Sequence, residues 1–154
     1  MGKRRKSREA ALQVLYQLDI ARQDATKTIA QFHDHFSQRG ERDEYAERIS
    51  LGVLEHGQEI DRLIEHYSEN WRLDRMSIID RNILRIATFE LLYCEEIPPK
   101  VTLNEAIELG KRYGSDDSGS FVNGVLDRIL NEAIRKPLGL AKGHSKIKGG
   151  DRGL

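Results

Sequence analysis

Apolar residues recur every three or four positions in one segment after another of this 154-residue chain. That spacing places side chains on one face of an α-helix, whereas a half-buried β-strand requires strict alternation. No alternating stretch competes with the helical pattern, and the chain has only three prolines. Charged residues reach 32% and are rich in the helix-favouring Glu, Arg and Lys. The sequence therefore predicts an all-α protein.

The first half of the chain carries three helical patterns. Ser7 is a candidate N-cap for a helix over residues 7–22, whose first turn holds a run of basic residues. A shorter pattern at Ile29, Phe32 and Phe36 predicts a second helix that ends before Gly40. From Tyr45 the spacing continues without a break, which predicts one helix of about 27 residues.

The second half carries three more helical patterns. Ser77 with Asp80, and Thr102 with Glu105, resemble capping boxes that open a fourth and a fifth helix. Gly114 is expected just after the fifth helix, and residues 115–119 form a loop before the sixth. Asn123 and Gly124 are expected to allow close packing of that last helix.

Trp71 interrupts the helical period and is expected to fill the seam between the two halves. The predicted fold is thus two small helical bundles packed side by side, over residues 1–70 and 71–136. Residues 137–154 contain five glycines, several lysines and few apolar side chains, which predicts a disordered tail. A length of 154 residues excludes a large multidomain enzyme.

The formal net charge is zero, but the charges are unevenly distributed. Residues 1–8 carry five bases and no acid, residues 135–154 carry six bases and one acid, and the 126 residues between them carry 14 bases and 24 acids. An acidic body with basic ends is typical of a protein that holds nucleic acid by its termini, although solubilising tails have the same composition.

The sequence offers no catalytic signature. Cys94 is the single cysteine, so a disulfide framework and a cysteine-based zinc site are excluded, and buried packing is expected for its side chain. His33 and His35 are two residues apart and point to different helix faces, which disfavours a metal site. No apolar run is long enough to span a membrane, and the expected compartment is the reducing cytoplasm.

Four short motifs occur in an order and spacing that resemble the NusB family. They are Arg4-Arg5-Lys6-Ser7-Arg8-Glu9 with Leu15-Tyr16, Ile83-Leu84-Arg85-Ile86-Ala87 with Glu90-Leu91, Asn104-Glu105-Ala106-Ile107-Glu108-Leu109, and Phe121-Val122-Asn123-Gly124-Val125-Leu126-Asp127. The resemblance covers about residues 3–134. It implies two three-helix bundles and a cytoplasmic transcription antitermination factor that binds the boxA element of ribosomal-operon RNA together with NusE, a ribosomal small-subunit protein. It further implies other Nus factors and RNA polymerase as partners through that complex, no enzymatic activity and no cofactor.

The resemblance also suggests residues for the RNA. Single-stranded RNA requires cations for its phosphates and exposed rings on which bases can stack. The basic candidates are Lys3, Arg4, Arg5, Lys6 and Arg8, with Lys111 and Arg112. By match to the family, Asp117 and Phe121 are candidates for base contacts. Phe121 has an alternative role, that of capping the second bundle.

Tyr16, Asp74 and Asp80 match family positions that contact NusE. Acidic residues on an acidic body suit a basic ribosomal protein, although Asp80 could instead cap the fourth helix and Tyr16 could pack internally. Two other protein classes remain open: an RNA-targeting helical domain related to those of ribosomal-RNA cytosine methyltransferases, and a helical DNA-binding protein. A homodimer that covers the RNA surface is also an open alternative.

Overall fold

A computed structural model describes residues 2–21, 43–69 and 71–135, together with the single positions 27, 30 and 34. Its helices are α1 (Gly2–Ala21), α2 (Glu44–Glu55), α3 (Gly57–Tyr67), α4 (Ile78–Tyr93), α5 (Pro99–Tyr113) and α6 (Ser118–Arg128). A 3₁₀ turn (Leu73–Arg75) precedes α4, and a π-helical segment (Ile129–Arg135) follows α6. The described part of the chain contains no strand, and the all-α prediction is confirmed.

Helix α4 is the centre of the molecule, because it packs against α1, α2, α3, α5 and α6. Ile83, Leu84, Ile86 and Ala87 on this helix are almost completely buried. Burying a side chain of Leu or Ile size contributes about 1.5–3 kcal/mol, so α4 supplies much of the cohesion of the fold. One cluster of buried side chains includes Leu15 and Ile60 from the first half and Leu84 and Val122 from the second. The division into two bundles at residue 70 stays a prediction.

The capping residues Ser7, Ser77 and Thr102 predict three helix starts, and two of these starts are wrong. Helix α1 begins at Gly2 rather than after Ser7, whose hydroxyl lies inside the helix and donates a 2.7 Å hydrogen bond to Asp43. Helix α5 begins at Pro99, and Thr102 lies within it with its hydroxyl turned to Glu90. Hydroxyl side chains suit both helix caps and tertiary hydrogen bonds, so sequence cannot separate the two uses. The third start is confirmed, because the Ser77 hydroxyl accepts from the Asp80 amide.

The predicted long helix is two helices in the structure. Helix α2 ends at Glu55 and α3 begins at Gly57, with His56 between them. The His56 amide still donates to the Gly52 carbonyl, while its imidazole stacks on Tyr93 of α4 at 4.2 Å between ring centroids. The break lets both helices lie against α4. One straight helix of the same length would extend away from α4 over part of its length.

Trp71 does not fill the seam between the halves, because 53% of its surface is exposed. Leu73 and Met76 are the buried residues of this connection instead. The expected packing role of Asn123 and Gly124 is also wrong: Asn123 is exposed, and a side chain at Gly124 would meet nothing within 4 Å. The close helix contact lies at Gly110, where an added Cβ would be 3.2 Å from the Gly119 backbone nitrogen.

Gly114 ends α5 as expected, but without the left-handed conformation that glycine allows, since its φ is −99°. A Cβ there would lie 2.3 Å from the Ser118 hydroxyl. Cys94 is buried, as predicted. The residues that predict the second helix (Ile29, Phe32 and Phe36), the pair His33 and His35, and the tail over 137–154 lie outside the described residues.

Candidate nucleic-acid interface

The first two turns of α1 carry three exposed cations, Lys3, Arg4 and Lys6. The Arg4 guanidinium lies 4.5 Å from the centre of the Tyr45 ring, which holds it by a cation–π contact. Among the described residues Lys3 and Lys6 have no ion-pair partner. The unpaired amides and the positive end of the helix dipole add to the attraction of these cations for phosphate.

Arg5 is already paired with a carboxylate. Its Nε and Nη2 atoms donate to the two oxygens of Glu105 on α5 at 3.0 and 2.8 Å, a bidentate contact. The Arg5 hydrogen bond holds the pKa of Glu105 below its usual range. Arg5 therefore ties α1 to α5 and would bind phosphate only in competition with this carboxylate.

Arg8 differs from its neighbours because it is 3% exposed. Its guanidinium donates to both oxygens of Glu90 on α4, at 2.6 and 3.1 Å. Glu90 also accepts hydrogen bonds from the hydroxyls of Tyr45 and Thr102, each at 2.8 Å. Arg8 therefore joins α1 to α4, and its buried guanidinium is not available to an RNA phosphate.

Lys111 and Arg112 lie exposed in the last turn of α5. Arg112 donates to Glu9 of α1 at 2.8 Å. Relative to the contact between Arg5 and Glu105, this contact lies one turn further along α1 and about two turns further along α5. These two ion pairs hold α1 and α5 side by side. The basic residues of α5 therefore lie on the same edge of the molecule as the basic first turns of α1. Exposed ion pairs contribute only about 0–1 kcal/mol, so Arg112 can exchange Glu9 for a phosphate at little cost.

Asp117 and Phe121 flank the start of α6. Asp117 is exposed, and its side chain makes no capping hydrogen bond, while its carbonyl accepts from the Phe121 amide at 3.0 Å. Phe121 is half-buried and packs partly on the core, and its ring meets Trp71 in an edge contact with 6.3 Å between centroids. Each of the two roles predicted for Phe121 thus has some geometric support.

The structure does not place Lys111 beside Phe121. A Cβ at Gly119 would lie 3.6 Å from the Lys111 side chain, so this face of α6 meets α5. Phe121 comes two residues later and points about 200° around the helix. The candidate residues therefore divide into a basic edge on α1 and α5 and an aromatic site at Phe121.

The residues predicted to contact a protein partner are linked through Arg81. Its guanidinium donates to Asp19, three residues after Tyr16, and to the carbonyls of Leu73 and Met76, which flank Asp74. Arg81 directly follows Asp80 in the chain. Asp80 and Tyr16 are half-buried, whereas Asp74 is exposed. Three elements carrying the candidates thus meet at one side chain.

Asp19 is the acidic centre of this junction. Burial alone would raise the pKa of Asp19, but hydrogen bonds from Arg81 and Asn82 and the charge of Arg85 lower it to about 2. Asp19 and Arg81 were not predicted from the sequence as site residues. Glu90, Glu105 and Tyr45 were recognised only as members of motifs, of a capping box or of a helix. The sequence signal that could have identified such residues is a charged side chain at a helical position that is otherwise apolar, as Glu90 is on α4.

The described residues contain no group of three or more His, Cys, Asp and Glu side chains placed to hold a metal ion. None of the helices in this part of the chain is both long and apolar enough to cross a membrane.

Comparison with known proteins identifies the family. The family model described as the NusB family matches residues 5–131. The transcription antitermination protein NusB of Myxococcus xanthus (strain DK1622) is 48% identical over 141 residues, 89% of this chain and 100% of that protein.

Two solved structures agree with this match. T. maritima NusB is 42% identical with a TM-score of 0.75, over 84% of this chain and 91% of that one. A structure of the antitermination factors NusB and NusE in complex with double-stranded RNA matches with 28% identity and a TM-score of 0.73, over 85% of this chain and 98% of that one. The order of motifs, the all-helical fold around α4 and these matches lead to one conclusion: the chain belongs to the NusB family.

Proposed function

We propose that this protein is an RNA-binding transcription antitermination factor that binds the boxA element of ribosomal-operon transcripts together with NusE. The observation that carries the proposal is the exposed cation group Lys3, Arg4 and Lys6 at the N-terminus of α1, in a chain of the NusB family. Other Nus factors and RNA polymerase are partners through the same complex. The protein acts in the cytoplasm, as a binding factor rather than an enzyme.

The distribution of charge supports separate surfaces for the RNA and for the protein partner. The basic edge of α1 and α5 suits the RNA backbone, because phosphate contacts give affinity without reading sequence. The acidic body over residues 9–134 suits a basic ribosomal protein, and Tyr16, Asp74 and Asp80 are the proposed contacts. The exposed carboxylate of Asp117 repels phosphate, so its proposed role is to accept hydrogen bonds from base amino groups.

The salt dependence of RNA binding tests the proposal. We would titrate fluorescently labelled single-stranded RNA carrying boxA, a scrambled RNA, duplex RNA and duplex DNA at several salt concentrations, with and without NusE. Contacts to three or four phosphates predict a log–log slope of about −2 to −3, since each single-strand contact contributes about −0.7. We expect single-stranded boxA RNA to bind most tightly and NusE to raise its affinity.

The triple substitution Lys3→Gln, Arg4→Gln and Lys6→Gln removes the exposed cations without touching Arg5 or Arg8. It should weaken binding and flatten the slope by up to about 2. Arg62→Gln, which neutralises an exposed cation on α3, is the matched control and should leave the slope unchanged. An unaltered slope in the triple variant would show that the basic terminus is not the RNA site.

A further inference from the structure

Trp71 is the single tryptophan of the chain, and more than half of its surface is exposed although its backbone is held in place. The Ser68 hydroxyl donates to the Trp71 carbonyl at 2.8 Å, and the Trp71 amide donates to the Ser68 carbonyl at 3.2 Å. A single exposed apolar side chain needs no explanation. Trp71, however, forms a pair with Phe121, and the two rings together are called the aromatic corner below.

The rings of the aromatic corner stand at 67° to each other with their centroids 6.3 Å apart. In such an edge contact the rings do not stack face to face, and the exposed indole of Trp71 leaves flat apolar surface for another planar group. The first turn of α6 holds the Phe121 backbone, and the hydrogen bonds to Ser68 hold the Trp71 backbone. The chain segments that carry both rings are therefore held in place.

Two arginines flank the aromatic corner. Arg128 lies seven residues after Phe121, two turns along the same face of α6, and donates to the Tyr67 carbonyl at 3.0 Å and to Glu69 at 3.1 Å. Arg72 follows Trp71 in the chain, with 73% of its side chain exposed, and pairs with Asp74. Both acidic partners are exposed, so these ion pairs are weak. Arg72 can turn to a phosphate, and Arg128 can exchange Glu69 for a phosphate at its Nη1 atom while its Nε atom keeps the bond to the Tyr67 carbonyl.

We propose that the aromatic corner is a stacking site for an unpaired RNA base, with Trp71 as a binding residue beside Phe121 and with Arg72 and Arg128 receiving the adjacent phosphates. The inference rests on the proposed RNA-binding function and adds Trp71, Arg72 and Arg128 to the candidate Phe121. Aromatic faces beside cations are what single-stranded nucleic acid requires. An apolar peptide segment would need a continuous apolar groove, whereas the surroundings here are charged.

Because Trp71 is the single tryptophan, its intrinsic fluorescence reports on the corner directly. We would titrate the full chain with single-stranded boxA RNA and follow tryptophan emission, while the anisotropy of labelled RNA reports binding independently. We expect quenching that saturates with the dissociation constant measured by anisotropy.

Trp71→Ala should weaken RNA binding about 5- to 150-fold, the effect of losing one base stack, and Trp71→Phe should retain most of the affinity. Ile20→Ala, at an apolar side chain with a similar exposed fraction, is the matched control and should bind RNA as the unaltered protein does. Thermal unfolding of each variant separates loss of binding from loss of fold, and Trp71→Phe keeps the test decisive if the alanine variant unfolds.

RNA binding without a change in tryptophan emission, together with full affinity in Trp71→Ala, would overturn this inference and leave the proposed function intact. Quenching by NusE alone, with RNA affinity unchanged in Trp71→Ala, would make the corner a protein contact and would also overturn it. If no RNA changes the anisotropy, the proposed function itself fails and the inference fails with it.

Discussion

Two glycines inside helices have opposite surroundings, which shows how much one methyl group matters. A Cβ at Gly52 on α2 would lie 2.2 Å from the ring of Phe89 on α4. A Cβ at Gly124 on α6 would meet nothing within 4 Å. Gly52 is thus required by close packing, whereas Gly124 only weakens its helix.

These surroundings predict opposite effects of the same substitution. Gly52→Ala should destabilise the protein by about 1–3 kcal/mol, because the Phe89 ring must move out of a filled core. Gly124→Ala should instead stabilise it by about 0.5–1 kcal/mol, since alanine has the higher helix propensity. Urea unfolding measures both, and a stabilised Gly52→Ala variant would contradict the packing at this contact.

At the scale of elements, a buried polar cluster joins four helices. Arg8 of α1, Tyr45 of α2, Glu90 of α4 and Thr102 of α5 share the hydrogen bonds of one carboxylate. A buried ion pair satisfied in this way fixes how helices are placed, although its net contribution to stability is small. Its integrity sets where the exposed cations of α1 stand.

Removing one partner of this cluster should be costly. Arg8→Ala leaves Glu90 buried without its countercharge, and we expect a loss of about 3–5 kcal/mol. The double substitution Arg8→Met with Glu90→Leu should recover much of that loss, because it removes both charges. Arg4→Ala, at an exposed position, should change stability by less than about 1 kcal/mol.

Denaturant unfolding and RNA affinity, measured on the same variants, distinguish the two arginines. An Arg8→Ala variant that keeps its stability but loses RNA binding would show that Arg8 contacts the RNA.

At the scale of the whole molecule, the buried residues of the first and second halves form one cluster around α4. We therefore expect one cooperative unfolding transition, with equal calorimetric and van't Hoff enthalpies. A fragment of residues 1–70 lacks α4 and should have little helical circular dichroism. Two separate thermal transitions, or a stably helical fragment, would instead show that the halves fold independently.

The sequence by itself determined the helical class, the family and most helix positions, because apolar spacing and the four motifs are local properties of the chain. Ser77 was identified as a cap because its hydrogen bond to the Asp80 amide closes within three residues. The apolar residues of α4 cover most of its circumference, which is a local pattern typical of a buried helix, but its contacts with helices of both halves are a tertiary feature.

Only the tertiary structure decided which of several similar side chains are buried or exposed and which partners they contact. Arg4 and Arg8 are indistinguishable as members of a basic run, yet one faces solvent and the other pairs with Glu90, 82 residues away. Ser7 and Thr102 resemble caps but bond to Asp43 and Glu90 across the fold. Trp71 resembles core but lies at the surface beside Phe121. The physical reason is that burial and pairing depend on groups distant in sequence, whereas helical periodicity depends only on neighbours.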